Sequence, residues 1–414
     1  MSWGRFASNY ERRINFDRMR IERLERVLRS ARDRGFEALL LLHGENQHYA
    51  GHNTGKYITG TALGNRFIFL PVKSETPILY DFGMWYRSTK DNVDWMEVRA
   101  TPSFVPEGPS EAREIQYKKA AATIKNDLKN AGLSQGKLAV DVYHLPLMKA
   151  LEKEGVRIEM GAMECLTEAR SIKTIDEMEC LRTACAMAEG GFEKLRTSIR
   201  PGAGENELRA IFVGELYRLG MDTVPTGEIS SGPRTFVNYP QTSDRLVRHG
   251  DLIIAMCCQS SFMGYRVCIY RTYVCGRANQ DQKDSYARTR DLVYAASKAL
   301  KPGATTKDIV ECWPPAEEFG FENEDAALWT QWGHGIGLGD PEEPTSSRLW
   351  SLDYPKPYRE GMTIALENWF PTKERSGTYP KGQSTRLEEM FVVTSGGADL
   401  MTKYPSDELI ECTS

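Results

Sequence analysis

The chain has no apolar run of the about 20 residues that a membrane-crossing helix needs, which argues against a membrane partner. Its opening residues, Met1-Ser2-Trp3-Gly4-Arg5, lack the apolar stretch of a secretory signal, so a cytoplasmic location is expected. There is no basic surplus either: 53 Lys and Arg face 57 Asp and Glu, a formal net charge of −4. A nucleic-acid footprint needs such a surplus, so that class of partner is excluded. Nine cysteines stand at 165, 180, 185, 257, 258, 268, 275, 312 and 412, and none belongs to a Cys-x-x-Cys pair. An odd, scattered set fits reduced cytoplasmic thiols rather than a disulfide framework.

What is present is enough chain for two cores, because 414 residues exceed one ordinary domain. Charged and apolar residues alternate at helical spacing over 15–34, and 38–42 reads as a buried strand. The stretch 43–52, with His43, His48 and His52, reads as a polar loop lining a cleft; a metal cluster is the alternative. Strands at 66–70, 77–80 and 137–141, with a helix near 112–131, make this part an α/β unit. The domain boundary is placed at 170, dividing the chain into 1–170 and 171–414. Just past it, Thr174-Ile175-Asp176-Glu177 is a capping box that opens a long helix to about Thr197.

The second part repeats itself. Ile199-Arg200-Pro201-Gly202-Ala203 returns as Leu300-Lys301-Pro302-Gly303-Ala304, each after a long helix and before another. Each copy then reaches a glycine, Gly220 and Gly320. Two such halves, each continuing into strands (250–258 and 264–274; 361–367 and 386–393), imply an α+β domain of pseudo-twofold symmetry with its site between them.

Within the second half, Gly333, Gly335, Gly337 and Gly339 surround His334 and lead to Asp340. Glycines there let something approach the backbone, and a histidine with a carboxylate nearby suits acid–base work or metal binding. A glycine-rich turn with a structural histidine is the other reading. Glu367 and Glu388 sit in apolar strands, where a carboxylate is costly unless paired or coordinated. Two readings stay open: ion pairs, for instance with Arg271 and Arg386, or a first shell for a divalent metal together with His334.

The ordered motifs Gly-Asp-Leu-Ile-Ile-Ala, Gly-His-Gly-Ile-Gly-Leu, Gly-Met…Glu and Arg-Leu-Glu-Glu resemble the pita-bread superfamily, which holds methionine aminopeptidase, Xaa-Pro peptidases, creatinase and one type of dimethylsulfoniopropionate lyase. The resemblance covers about 170–405 and implies a creatinase-like α/β domain before a pita-bread catalytic domain. The metallopeptidases of that group hold two metals with two Asp, one His and two Glu. His334, Glu367 and Glu388 match the last three, while Met256 (or Cys257) and Cys268 take the aspartate places and Cys258 that of a further lyase aspartate. Ser231-Gly232-Pro233-Arg234-Thr235 resembles the lyases' segment, and Asp340 falls on their proposed base. Trp329 stands where they carry tyrosine.

The resemblance therefore implies an enzyme without a binuclear site: a lyase acting on a small zwitterionic carboxylate. A C–N hydrolase and an inactive binding module are the alternatives. Asp340 is the expected base and His334 the polarising group, with Glu367 and Glu388 free to bind a cationic group. Trp329, Trp332, Trp369, Tyr239, Cys258, Cys268, His48 and His52 are the expected substrate-side residues. No cofactor is expected. The alternative is one Zn²⁺ or Fe²⁺ on His334, Glu367, Glu388 and Cys268. A homodimer is also implied.

Overall fold

A computed structural model describes residues 14–51, 66–81, 83, 85–102, 108–134, 136–236, 241–373 and 382–413. They form two compact units, one of Asn15–Arg170 and one that contains Ser171–Ser414.

The first unit is built on a six-stranded sheet ordered β4-β3-β2-β1-β5-β6: β1 (Ala38–Leu41), β2 (Phe67–Pro71), β3 (Ile78–Asp81), β4 (Glu97–Ala100), β5 (Lys137–Val140) and β6 (Arg157–Met160). Central β1 is buried along its whole length, as its unbroken apolar sequence requires. The helix Phe16–Asp33 begins where the Asn15 side chain accepts from the Arg18 N–H at 2.9 Å. The stretch after β1 is not the loop expected from its polarity but a helix, Gly44–Gly51. Asp141, at the end of β5, explains this. Its carboxylate accepts from the Leu42 and His43 N–H groups and from Asn46 Nδ2, at 2.8, 3.1 and 2.9 Å, and so anchors the helix start. Local composition carried no sign of so distant a partner.

In the second unit the helix Ile175–Arg196 has both bonds of its capping box, Thr174 with Glu177. It packs on the helix Glu205–Leu219 at a close approach made possible by Gly191, where an added Cβ would lie 2.4 Å from Leu216 Cδ2. Gly191→Ala is expected to cost about 1–3 kcal/mol by overpacking. Chemical denaturation of the two proteins measures it, and an unchanged midpoint would contradict this packing.

Two antiparallel arrays carry the strands. One is ordered β11-β10-β12-β13-β14, with β10 (Gln331–Gly335), β11 (Glu342–Ser346), β12 (Thr363–Pro371), β13 (Ser384–Thr394) and β14 (Gly397–Leu400). The other is β15-β9-β8-β7, with β7 (Ile229–Ser231), β8 (Leu252–Phe262), β9 (Tyr265–Cys275) and β15 (Ile410–Cys412), the last running parallel to β9. β9 and β13 join the two arrays. Thr272 Oγ1 donates to the Arg386 carbonyl at 2.7 Å and accepts its N–H at 2.9 Å. Arg271, wholly buried, reaches the Glu388 carbonyl and the Glu389 carboxylate, each at 2.8 Å.

The internal repeat is visible in hydrogen bonds. Gly202 N–H donates to the Val247 carbonyl and Val247 N–H to that of Ala203; Gly303, Tyr358 and Ala304 repeat the pattern. Gly220 and Gly320 both end their segments in the left-handed region, with φ 110° and 83°. The copies differ between these points. The second has only the short helix Thr306–Val310 and a 3₁₀ turn Ala316–Phe319, because Pro314 and Pro315 cannot continue a helix.

Candidate functional site

Strand register brings the site together. In the β10–β12–β13 ladder, Trp332 stands opposite Glu367 and Glu367 opposite Glu388. Opposed residues of an antiparallel ladder share a face, and so do residues two apart. His334 and Arg386 therefore join that face. From the other array, Cys258 stands opposite Cys268, and Met256 opposite Tyr270.

The tautomer of His334 follows from its surroundings. Nδ1 lies 2.8 Å from the Gly335 carbonyl oxygen. A carbonyl can only accept, so Nδ1 carries a proton, and Nε2 is the nitrogen turned toward the carboxylates. Nε2 lies 3.4 Å from Glu388 Oε1 and 3.8 Å from Asp340 Oδ1. Burial opposes the charged ring, but the Glu388 and Asp340 carboxylates outweigh it and raise the imidazolium pKa to about 9.

Asp340 is held from a strand distant in sequence. Its Oδ2 accepts the Gln259 N–H at 2.9 Å, and Gln259 sits in the β-bulge of β8 with φ 57°. Burial pushes the carboxyl upward, and the His334 charge partly offsets that rise.

The glycines around His334 admit the protein's own chain and not only a ligand. An added Cβ at Gly335 would lie 2.7 Å from the Glu343 carbonyl oxygen. At Gly337 it would meet the buried Lys173–Glu342 ion pair, which spans 2.9 Å. These close contacts hold β11 over the segment that carries Asp340.

Glu367 is not free. Arg386 donates to its Oε2 from Nε at 3.0 Å and Nη2 at 2.6 Å. Burial raises the Glu367 carboxyl to about 7 against the pull of Arg386. The guanidinium lies 4.3 Å from the centre of the Tyr270 ring and also donates to the Trp329 carbonyl at 2.9 Å. The ion pair expected of Glu388 does not form: Arg271 pairs with Glu389 instead, and Glu388 is left without either arginine side chain.

Of the expected residues, the fold gathers His334, Asp340, Glu388, Cys258 and Cys268. Ligand atoms of Cys258, Cys268 and Glu388 lie within 4.8 Å of one another, as do those of Cys268, His334 and Asp340. Cys258 Sγ is 3.7 Å from Glu388 Oε2. Burial holds both thiols well above their ordinary pKa. Met256 instead receives the Tyr270 hydroxyl at 2.7 Å, and Cys257 stands opposite Ile269.

The tryptophans separate. Trp329 is 62% exposed, Trp332 packs edge-on against Trp350 beside Glu367, and Trp369 is enclosed by Phe236, Phe319 and Phe321. Trp369 is thus a core residue rather than a substrate contact, because apolar neighbours surround its ring. His48 lies on the Gly44–Gly51 helix of the first unit, where its carbonyl accepts from Arg23. Tyr239 and His52 lie outside the described residues. Sequence reasoning missed Tyr270 and the Gln259 N–H. Tyr270 stands two residues after Cys268 on one strand, a period-2 signal that was available; the Gln259 contact had no local signal.

Residues 179–395, just over half of the chain, match metallopeptidase family M24. The chain is 28% identical over 256 residues to the Xaa-Pro dipeptidase of Pyrococcus furiosus, across 61% of this chain and 69% of that protein. It is 24% identical over 439 positions to the dimethylsulfoniopropionate lyase DddP of Roseovarius nubinhibens, across 98% of this chain and 91% of that one. A solved Xaa-Pro dipeptidase from Bacillus anthracis has the same fold, with a TM-score of 0.72 at 22% identity over 94% of this chain and 99% of that one.

Proposed function

Since the chain belongs to metallopeptidase family M24 and is an enzyme of that superfamily, we propose that it cleaves a small zwitterionic carboxylate by proton abstraction and elimination. The observation that carries this reading is Asp340: a buried carboxylate with one oxygen tied to the Gln259 N–H and the other turned toward His334. Burial moves its pKa upward, the direction that makes a carboxylate a better base.

The step is a β-elimination. Asp340 takes the proton on the carbon next to the substrate carboxylate, and the C–H electron pair becomes the new double bond. The bond from the neighbouring carbon to the leaving group breaks, and its electrons depart with that group. The imidazolium of His334 balances charge beside Asp340.

Hydrolysis of a C–N bond is the second reading, favoured by the similarity to a Xaa-Pro dipeptidase. Asp340 would then activate water. Incubation of the purified protein with dimethylsulfoniopropionate separates the two. Elimination is expected to release dimethyl sulfide and acrylate in equal amounts, read by headspace gas chromatography and absorbance. Free amine from Xaa-Pro dipeptides, with no sulfide formed, would replace elimination by hydrolysis. Neither product from either substrate class would sink both readings.

The family resemblance implies two metals bridged by carboxylates, and the residues here do not fit that centre. Cys258 and Cys268 face the site from β8 and β9, and Arg386 already neutralises Glu367. No step above passes through a metal.

A further inference from the structure

Two buried charges beside the segment that carries Asp340 take no part in the steps above. The side chains of Lys173 and Glu342 are each 2% exposed and pair at 2.9 Å, Nζ to Oε2. Taking two such charges out of water costs about what their attraction returns, so a buried pair of this kind is a poor source of stability. What it fixes is geometry.

Glu342 opens β11, just past Asp340 and Pro341. Its other oxygen, Oε1, accepts the Gly339 N–H at 2.9 Å. The chain leading to Asp340 is wrapped onto the pair. An added Cβ at Gly339 would lie 2.8 Å from Glu342 Cγ, and one at Gly337 would lie 2.9 Å from Lys173 Cε. The Gly337 N–H closes this turn on the Gly339 carbonyl at 3.1 Å, and the Gly337 carbonyl accepts the Arg266 N–H of β9 at 2.7 Å.

Lys173 is itself held. Its N–H donates to the Gly361 carbonyl at 3.0 Å, and the next residue, Thr174, caps the helix Ile175–Arg196. Glu177, in the first turn of that helix, accepts the Tyr265 hydroxyl at 2.9 Å. The ammonium thus stands on a frame made of a helix start and strand ends, and through Glu342 it sets the peptide immediately before Asp340. The bond from the Gln259 N–H, at 2.9 Å, fixes one oxygen of Asp340 but not the course of the chain that carries it.

We propose that Glu342, held by Lys173, is a positioning residue: by fixing the Gly339 N–H it aims the Asp340 carboxylate at the Gln259 N–H and beside His334. The inference rests on the reading above for the task of Asp340 as the base, and on geometry for everything else.

The test uses the full chain carrying Lys173→Met and Glu342→Met together. No charge of the pair remains, so the variant should unfold close to the parent temperature, yet the Gly339 N–H loses its acceptor. With Asp340 misaligned, kcat on the cleaved substrate should fall about 10–100-fold while KM changes by less than about twofold. A second readout needs no turnover. The Gln259 N–H donates to Asp340, so its hydrogen exchange, followed by NMR on protein labelled with nitrogen-15 glutamine, reports whether Asp340 is docked. Exchange should be about tenfold faster in the double variant, approaching the rate in Asp340→Ala. A pair that serves stability alone would move neither readout once both charges are gone. If the double variant does not fold, Glu342→Asp takes its place. It keeps the charges paired and draws the carboxylate back from Gly339 by one methylene, and both readouts should move in the same direction.

A folded variant with parental kcat, or with Gln259 exchange equal to the parent's, would overturn the inference and leave the elimination reading standing. A parent protein that cleaves neither substrate class would remove that reading instead, and the Gln259 amide would then decide whether Glu342 positions Asp340.

Discussion

Asp340→Asn is expected to lower turnover by roughly 10²–10⁴-fold, the range general-base catalysis supplies, while the protein stays folded. Asparagine keeps an oxygen that can accept the Gln259 N–H, now 2.9 Å from Asp340 Oδ2, so the tie to the β8 bulge survives. What disappears is the basic lone pair and the negative charge 3.8 Å from His334 Nε2. The drop should fall mainly on kcat, because a proton acceptor acts in the transition state. Steady-state kinetics on the cleaved substrate, with circular dichroism to check folding, measure it. A variant with full kcat would take Asp340 out of the chemistry, and the elimination reading with it.

Arg386→Met is expected to destabilise the second unit by about 3–5 kcal/mol, because it leaves a carboxylate buried without its partner. Glu367 is 5% exposed, and both hydrogen bonds from Arg386 end on its Oε2. Thermal unfolding should shift downward by roughly 6–20 °C for a unit of this size. The double variant Arg386→Met, Glu367→Gln should recover part of the loss, since no buried charge then remains. Equal stability of the single variant and the parent would show that the pair contributes nothing net.

The loss should also depend on pH. The Glu367 carboxyl is raised by burial to about 7 even with Arg386 beside it. A raised carboxyl binds a proton in the folded state that the unfolded chain has already lost, so stability falls as pH rises through that interval. Removing Arg386 takes away what holds the value down. The variant should therefore lose most at mildly alkaline pH and least in weak acid, and the opposite trend would contradict the burial of Glu367.

Several features were legible because their causes are local. The capping box of Thr174 and Glu177 and the twin Pro-Gly turns act over three or four residues. The motifs around His334, Glu367 and Glu388 pointed to the superfamily that residues 179–395 match. Other features were hidden because their causes lie far along the chain. The helix Gly44–Gly51 is anchored by Asp141, so its polar sequence read as loop. Trp369 resembled a substrate aromatic until its ring was found among phenylalanines.

By itself the sequence determined the chemistry available: one histidine, three carboxylates and adjacent cysteines in place of aspartates, set on strands of a repeated fold. Only the tertiary structure decided which of them meet. Side chains alternate along a strand, so one inserted residue exchanges its two faces. The bulge at Gln259 is such an insertion: Cys258 is left facing Cys268, while Cys257 pairs with Ile269 and Met256 lies against Tyr270. The choice of Arg386 for Glu367 was likewise set by the register of β12 with β13, and that of Arg271 for Glu389 by the packing of β9 on β13. Alternation within a strand is local and can be read, whereas register between strands is fixed only when both are packed.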